Sequence, residues 1–424
     1  MVDPNRLKAF NEERLSDHQR HWVFLLESLT QKGIDVDKTL NKIADFQIAI
    51  PSWALGTGGT RFGRFPQGGE PSNLEDKIKD IGTLHTLNKS SGAVSIHIPW
   101  DIPEDYTAIR ALASELDIKF DAVNSNTFQD QQNNINSYKF GSLSHIDAVV
   151  RKEAIQHNKE VIDHGIQLGS RALTVWLADG SSFPGQHNFR GVFQRTLDSL
   201  KEIYDYMPSD WKMLIEYKPY EPNFYSMVIP DWGTSHLLAS KLGNKASTLV
   251  DLGHHLPNTN IEQIVSLLMH VNKLGGFHFN DSKYGDDDLT VGAIKPYQLF
   301  LIFCELVQGM IETSNPELSW MIDASHNLKD PMEDLLQSVY SIKIAFARAL
   351  ILDYNLLKDA QKRNDVATCQ SLLQDAFTTD VRPLVKEAIY QRGGALDALA
   401  AYRELDVRKK LIAARGLDSK STGL

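Results

Sequence analysis

Carboxylate and imidazole side chains stand at the ends of four successive apolar runs in this 424-residue chain. Glu216 closes the run LIE, Asp251 closes LVD, His278 lies inside FHF, and Asp323 closes MID. One such residue alone is typical of a helix cap or of a satisfied core histidine. Four in succession favour a shared site. Three carboxylates close together in a partly buried place repel strongly unless a cation balances them.

A second group of candidate ligands lies in and near the stretch GGFHFNDSKYGDDD. Asp286 and Asp288 stand two residues apart, so we expect both to turn toward His254 while Asp287 faces outward. Two divalent cations together with Lys218 would balance the five carboxylates of the two groups. Mixed carboxylate and imidazole ligands suit Mn²⁺, Co²⁺, Zn²⁺ or Mg²⁺. The sequence therefore predicts two divalent cations, with Mn²⁺ as the first choice.

The elements that would position these residues are eight short apolar runs separated by segments of helical periodicity. The predicted strands are 46–53, 93–100, 119–126, 171–178, 212–219, 247–254, 276–282 and 318–325. Strands that alternate with helices indicate a parallel sheet, and eight such units predict a (β/α)₈ barrel. In that fold the functional site lies at the carboxyl ends of the strands, where the candidate residues stand. A doubly wound open sheet is the alternative, although the glycine-rich stretch GTGGTRFGRFPQGG lacks the spacing of a phosphate-binding loop.

The predicted barrel spans residues 46–350, between an N-terminal helical segment, 1–45, and a C-terminal helical extension, 351–424, for which oligomer contacts are expected. A net charge of −10 argues against a nucleic-acid or anionic-membrane surface. Two cysteines are too few for a disulfide framework, and the charged start of the chain does not resemble a signal peptide. A soluble, cytoplasmic protein without a membrane partner is expected.

Seven motifs together resemble a known family of sugar isomerases. LIEYKPYEP is similar to the E-x-K-P-x-E-P signature of xylose isomerases. The other six are SIHIPWD, FDAVNSNTF, TVWLADGSSFPGQ, VDLGHHLPNTNIE, GGFHFNDSKYGDDDL and MIDASHN. With them the chain resembles the bacterial L-rhamnose isomerases of broad aldose specificity, least closely in its last sixty or so residues.

That resemblance implies a homotetramer of barrels with two metal ions in each. It implies that Glu216, Asp251, His278 and Asp323 bind a structural ion that also anchors substrate oxygens. A second, catalytic ion is implied at a site formed by the three remaining candidates. These are His254, Asp286 and Asp288.

The resemblance also implies a sugar pocket. Its walls are expected to be Trp53, His97, Phe128 and Trp176, and Phe62 is expected to cover the pocket of a neighbouring subunit. Aromatic rings stack on the apolar faces of sugars while polar groups bind the hydroxyls.

The expected reaction interconverts L-rhamnose and L-rhamnulose, and also other aldoses such as D-allose, L-lyxose and L-mannose. Metal-assisted transfer of a hydride between C1 and C2 is favoured, with Lys218 beside a substrate oxygen and Asp323 or Asp286 near the O2 proton. Proton transfer with Asp323 as the base is the alternative. Ring opening by His97 would need Asp101 as its partner, four residues away. Tyr217 and His255 are expected to lie outside the site.

The sequence also leaves other functions open. A ketose 3-epimerase, or another sugar isomerase of the same superfamily, is the nearest alternative. It would use two glutamates, and Glu216 is the single glutamate at a predicted strand end. A metal-dependent nuclease would need a basic groove, and a sugar-binding protein without activity would not need two cations beside a lysine.

Overall fold

The structure is a computed structural model that describes residues 2–56, 65–131, 134–312, 317–324 and 328–417. Its eight long strands are parallel and close into a barrel. They are β1 (Ala49–Pro51), β2 (Ala93–Ile98), β3 (Lys119–Ser125), β4 (Ala172–Val175), β6 (Lys212–Glu216), β8 (Ala246–Asp251), β9 (Leu274–Phe279) and β10 (Ser319–Ile322). Around the barrel they follow the order β1-β10-β9-β8-β6-β4-β3-β2. The predicted (β/α)₈ barrel is confirmed, and the open-sheet alternative is wrong.

Two further short strands pair antiparallel above the barrel, at the carboxyl ends of its strands. β5 (Gly180–Ser181) follows β4, and β7 (Ser226–Met227) follows β6. Their pairing connects the loop after β4, which contains Trp176, with the loop after β6, which contains Lys218. The predicted strand 171–178 ends earlier than expected, at Val175, and the chain enters the small sheet at Gly180.

Helices surround the barrel and extend from both ends of the chain. Those before and around the barrel are α1 (Pro4–Gln31), α2 (Val36–Asp45), α3 (Leu74–Asn88), α4 (Tyr106–Glu115), α5 (Ala148–Leu168), α6 (Phe189–Tyr206), α7 (Trp232–Leu242), α8 (Ile261–His270), α9 (Pro296–Glu312) and α10 (Pro331–Leu350). The extension consists of α11 (Tyr354–Lys362), α12 (Val366–Thr378), α13 (Arg382–Gln391), α14 (Ala398–Glu404) and α15 (Val407–Arg415). Aspartate or asparagine side chains cap many of these helices, as Asn73 does at α3 and Asp231 at α7.

Strand alternation explains how one apolar run carries a polar side chain into the barrel. Phe277 and Phe279 of β9 are fully buried and face outward, where they stack with Trp320 of β10 and with Phe303 of α9. The residue between them, His278, must therefore point to the barrel interior. The outward aromatic layer thus fixes the direction of a candidate ligand.

The C-terminal extension packs on α2, α3 and α10 and also holds two loops of the barrel. Arg408 of α15 donates to both carboxylate oxygens of Asp330, at 2.7 and 2.6 Å, and to the carbonyl oxygen of Gly68 at 3.1 Å. Arg415 donates to the carbonyl oxygen of Gly69 at 3.1 Å. Asp330 also caps α10, so the extension reaches the loops that follow β1 and β10.

Within the described residues, no single helix has the length and apolarity to cross a membrane. The bent pair of α10 and α11 meets those criteria only when the two are taken together, across a 61° bend.

Candidate metal centre

Four of the predicted ligands meet at the carboxyl ends of neighbouring strands. One ligand atom each from Glu216, Asp251, His278 and Asp323 lies within 4.8 Å of the others. Glu216 ends β6, Asp251 ends β8, His278 is the penultimate residue of β9, and Asp323 follows β10. Asp251 pairs with His278 in register, so the barrel itself sets their separation.

His278 lies in the middle of this group. Its Nδ1 atom is 3.1 Å from Glu216 Oε1 and 3.8 Å from one oxygen each of Asp251 and Asp323. Burial alone would lower the pKa of His278, but the carboxylates of Glu216, Asp323 and Asp251 raise it to about 9. Burial would likewise raise the pKa of Glu216, whereas the imidazoles of His278 and His254 lower it to about 2. Positive charge is therefore favoured at the centre of the group.

Asp251 supplies a direct test of whether these residues fit a cation. Its Oδ1 atom accepts hydrogen bonds from the backbone N–H of Gly253 at 2.7 Å and of His254 at 3.2 Å, and from the Asn280 amide at 2.9 Å. Its Oδ2 atom is buried and has no hydrogen-bond partner among the described residues. Burial, with the charges of Glu216 and Asp323, raises the pKa of Asp251 to about 6. An inward oxygen without a donor, beside two other carboxylates, fits a divalent cation.

The second predicted group lies beside the first. His254 Nδ1 donates to the carbonyl oxygen of Tyr217 at 2.9 Å, which leaves Nε2 to face Asp286 Oδ1 at 3.1 Å. Asp286 also forms an ion pair with Lys218. Asp286 and Asp288 are both buried and adopt left-handed backbone conformations, with φ of 52° and 49°, which aspartate tolerates better than most residues.

Asp287 takes a different direction from its two neighbours. Its carboxylate accepts hydrogen bonds from the backbone N–H groups of Lys283 and Tyr284, and so closes the turn that precedes it. Asp287 therefore faces this turn, whereas Asp286 and Asp288 line a cavity above the two groups of ligands.

A cavity of about 290 Å³ opens above the two groups. The predicted wall residues Trp53, His97, Phe128 and Trp176 line it together with Lys218. Ring centroids of successive wall residues lie 5.0–5.5 Å apart, and the Lys218 ammonium lies 5.3 Å from the Trp176 ring. Phe62, which is predicted to cover the pocket of a neighbouring subunit, lies outside the described residues.

Two larger cavities, of about 660 and 1210 Å³, open at the other end of the barrel, where the strands begin. Neither is lined by a predicted site residue, so volume alone does not mark the site.

Asp101 does not support His97 in the way that ring opening would require. Its carboxylate accepts hydrogen bonds from the backbone N–H of His97 at 2.8 Å, from Lys77 at 2.7 Å and from Ser52. The ring Nδ1 of His97 has no hydrogen-bond partner among the described residues. Burial lowers the pKa of His97 to about 3, so the ring is neutral.

Sequence reasoning missed two prominent cavity residues, Trp100 and Glu221. The Trp100 ring lies 4.3 Å from that of His97, and Glu221 lies 3.4 Å from the Lys218 ammonium. Trp100 lies in the motif SIHIPWD, three residues after His97, and Glu221 lies in LIEYKPYEP, three residues after Lys218. Their places in these two motifs were the sequence signal that could have identified them. Asn124 and Thr174, on inward positions of β3 and β4, were also missed.

Tyr217 and His255 lie behind the cavity. The Tyr217 hydroxyl contacts His255 Nε2 at 2.6 Å, and both side chains are buried. The Tyr217 side chain thus turns away as expected, but its carbonyl oxygen holds His254.

Comparison with known proteins gives two close relatives of nearly full length. The chain is 48% identical over 416 residues to a Rhizobium meliloti protein named "Probable sugar isomerase", covering 98% of this chain and 97% of that one. It is 49% identical over 406 residues to a Mesorhizobium japonicum protein of the same description, covering 96% and 94%. No family model matches the chain.

Among solved structures, an L-ribulose 3-epimerase aligns with a TM-score of 0.51 and 13% sequence identity. The alignment covers 76% of this chain and 98% of that one. At this identity the likeness shows a shared fold and nothing finer.

Proposed function

Because the chain belongs to the family of these probable sugar isomerases, we propose that it interconverts an aldose and a ketose with the help of two divalent cations. L-Rhamnose and L-rhamnulose are the first proposed pair, with D-allose, L-lyxose and L-mannose as further aldoses. The observation that carries the proposal is the group of four ligand atoms within 4.8 Å of one another beneath an aromatic-lined cavity.

Each of the two groups of residues would bind one cation. Glu216, Asp251, His278 and Asp323 would hold one, and His254, Asp286 and Asp288 would hold the other, with Mn²⁺ proposed first. Divalent cations bound there would polarise a substrate carbonyl and stabilise negative charge on the neighbouring oxygen.

The aromatic wall would orient the sugar. Rings of Trp53, Phe128 and Trp176 offer flat apolar faces to the C–H groups of a sugar. Trp176 Nε1 and His97 Nδ1 are buried without hydrogen-bond partners among the described residues, and both residues line the cavity through other atoms of their side chains or backbone. A sugar hydroxyl that pairs with such a group is favoured over an analogue that leaves it unpaired.

Lys218 and the nearby carboxylates would carry the reaction. The Lys218 ammonium lies beside Asp286 and Glu221, so it can donate to the substrate O1 and stabilise its negative charge. Asp323 or Asp286 would move the proton of O2, while hydrogen passes between C1 and C2 as a hydride. A base with a pKa near 3 is weak, so we assign His97 to sugar binding in preference to ring opening.

A ketose 3-epimerase is the second candidate because Glu221 gives the cavity a second glutamate besides Glu216. Such an enzyme would use the pair as acid and base at C3. The two reactions differ in their products, because an isomerase converts an aldose into a ketose and an epimerase converts one ketose into another.

The decisive experiment incubates chelator-treated protein, reconstituted with Mn²⁺, Co²⁺ or Zn²⁺ in turn, with a panel of aldoses and ketoses. We expect L-rhamnose to yield L-rhamnulose in the presence of metal, and the chelated protein to be inactive. Conversion of one ketose into another, with no aldose formed, would identify the epimerase. No turnover of any sugar with any of the three metals would overturn both candidates.

A further inference from the structure

Trp53 contacts a candidate metal ligand as well as the sugar cavity. It lies in the 3₁₀ turn Ser52–Leu55 that directly follows β1, and its indole Nε1 donates to Asp323 Oδ1 at 3.1 Å. β1 pairs with β10 through Ala49 and Met321, so this hydrogen bond joins the ends of the first and last strands of the barrel.

The bond leaves the two oxygens of Asp323 in different surroundings. Oδ1 is occupied by the indole, whereas Oδ2 lies 3.8 Å from His278 Nδ1 and faces the other ligands. The indole therefore selects the oxygen that is offered to a cation.

Asp323 needs such a restraint more than its neighbours do. Its side chain is 28% exposed, compared with 4% for Glu216 and 0% for Asp251. His278 attracts this solvent-accessible carboxylate while Glu216 and Asp286 repel it, so charge alone does not hold it against rotation away from the group. The indole N–H opposes this rotation with one directed hydrogen bond.

We propose that Trp53 is a positioning residue for the first cation site. Its indole N–H holds Asp323 with Oδ2 turned toward Glu216, Asp251 and His278, and so raises the affinity of that site. The inference rests on the cation binding of the proposed function but not on the identity of the sugar. It gives Trp53 a role distinct from stacking, because a phenyl ring could stack equally well.

The test compares Trp53→Phe with Trp100→Phe by calorimetric titration of Mn²⁺ into chelator-treated protein. Both variants lose an indole from the same cavity, but Trp100 contacts the ring of His97. Groups that orient a metal ligand typically contribute about 10- to 100-fold to affinity. We expect Trp53→Phe to weaken Mn²⁺ binding at the four-ligand site, which we expect to be the tighter of the two, at least tenfold and Trp100→Phe to leave it within twofold. Equal affinities in Trp53→Phe and wild type would overturn the inference.

A double-mutant cycle with Asp323→Ala, which removes the acceptor of the indole hydrogen bond, separates positioning from general disturbance of the fold. If Trp53 acts through Asp323, Trp53→Phe weakens Mn²⁺ binding much less in the Asp323→Ala background than in wild type. Equal effects in the two backgrounds would show that Trp53 acts elsewhere. Circular dichroism confirms that each variant is folded before titration.

Failure of this inference and failure of the proposed function give different results. A wild-type protein that binds Mn²⁺ but converts no sugar contradicts the function and leaves the Trp53 comparison intact. An active isomerase whose Mn²⁺ affinity is unchanged in Trp53→Phe contradicts the inference alone.

Discussion

His254 Nδ1 donates a hydrogen bond to the carbonyl oxygen of Tyr217 at 2.9 Å. A carbonyl oxygen can only accept, so Nδ1 carries a hydrogen, and Nε2 turns toward Asp286. Tyr217 directly follows Glu216, a candidate ligand of the other group. One stretch of backbone thus supplies a carboxylate to the first group and orients the imidazole of the second, which couples the two sites.

Loss of one ligand from the first group should abolish both activity and stabilisation by metal. At Mn²⁺ concentrations near 100 times Kd, binding stabilises a protein by about 2.7 kcal/mol. We expect Glu216→Gln and His278→Ala to lose this gain in thermal denaturation and to lose isomerase activity. Glu333→Gln, a change in an ion pair with the exposed Arg403, is the control that should retain both. Retained activity in both ligand variants would contradict the metal assignment.

The direction of His278 was predictable from sequence because alternation in a strand is strictly local. The places of Trp100 and Glu221 were not, since they depend on loop geometry that has no period. Glu221 adopts a φ of 70° and returns toward Lys218, three residues earlier. The partner of Asp101 was similarly hidden. The sequence offers the imidazole of His97 four residues away, whereas the carboxylate contacts only the backbone N–H of His97 and pairs with Lys77 on α3, 24 residues away.

The route of hydrogen transfer can be read from isotope exchange. A hydride that passes from C2 to C1 never meets solvent, whereas a proton held by Asp323 exchanges with water. We expect isomerisation of L-rhamnose in D₂O to give L-rhamnulose without deuterium at C1, as measured by NMR. Full deuterium incorporation would establish the enediol route with a carboxylate base.

His97 should make the folded protein less stable in acid. Histidine in an unfolded chain titrates near pH 6.5, and burial lowers the pKa of His97 to about 3 in the fold. Between these values the unfolded chain binds more protons than the folded one, so stability falls as the pH decreases. The decrease amounts to about 1.4 kcal/mol per pH unit below about pH 6.

Chemical denaturation of wild type and His97→Phe at pH 7, 6 and 5, with chelator present, measures the loss of stability that His97 causes in acid. The replacement removes the titrating group, and its packing effect is the same at each pH. We expect the difference between the two free energies of unfolding to shift against the wild type as the pH decreases. A constant difference across the three pH values would show that His97 titrates alike in both states.

The C-terminal extension should stabilise the fold through Arg408 much more than through Arg403. Both arginines bind a carboxylate through two nitrogens, but the side chains of Arg408 and Asp330 are 16% and 11% exposed, against 62% and 21% for Arg403 and Glu333. Removal of one partner from a fully buried pair costs about 3–5 kcal/mol because the other charge stays buried, and the largely buried Arg408–Asp330 pair is expected at the lower end of that range. Exposed pairs contribute about 0–1 kcal/mol.

Urea denaturation of Arg408→Met and Arg403→Met tests this contrast within one segment of the chain. We expect Arg408→Met to lower the free energy of unfolding by about 3 kcal/mol and Arg403→Met to lower it much less. Because Arg408 also donates to Gly68, part of its effect should persist in an Asp330→Asn background. Equal losses in the two single variants would contradict the larger contribution assigned to the Arg408–Asp330 pair.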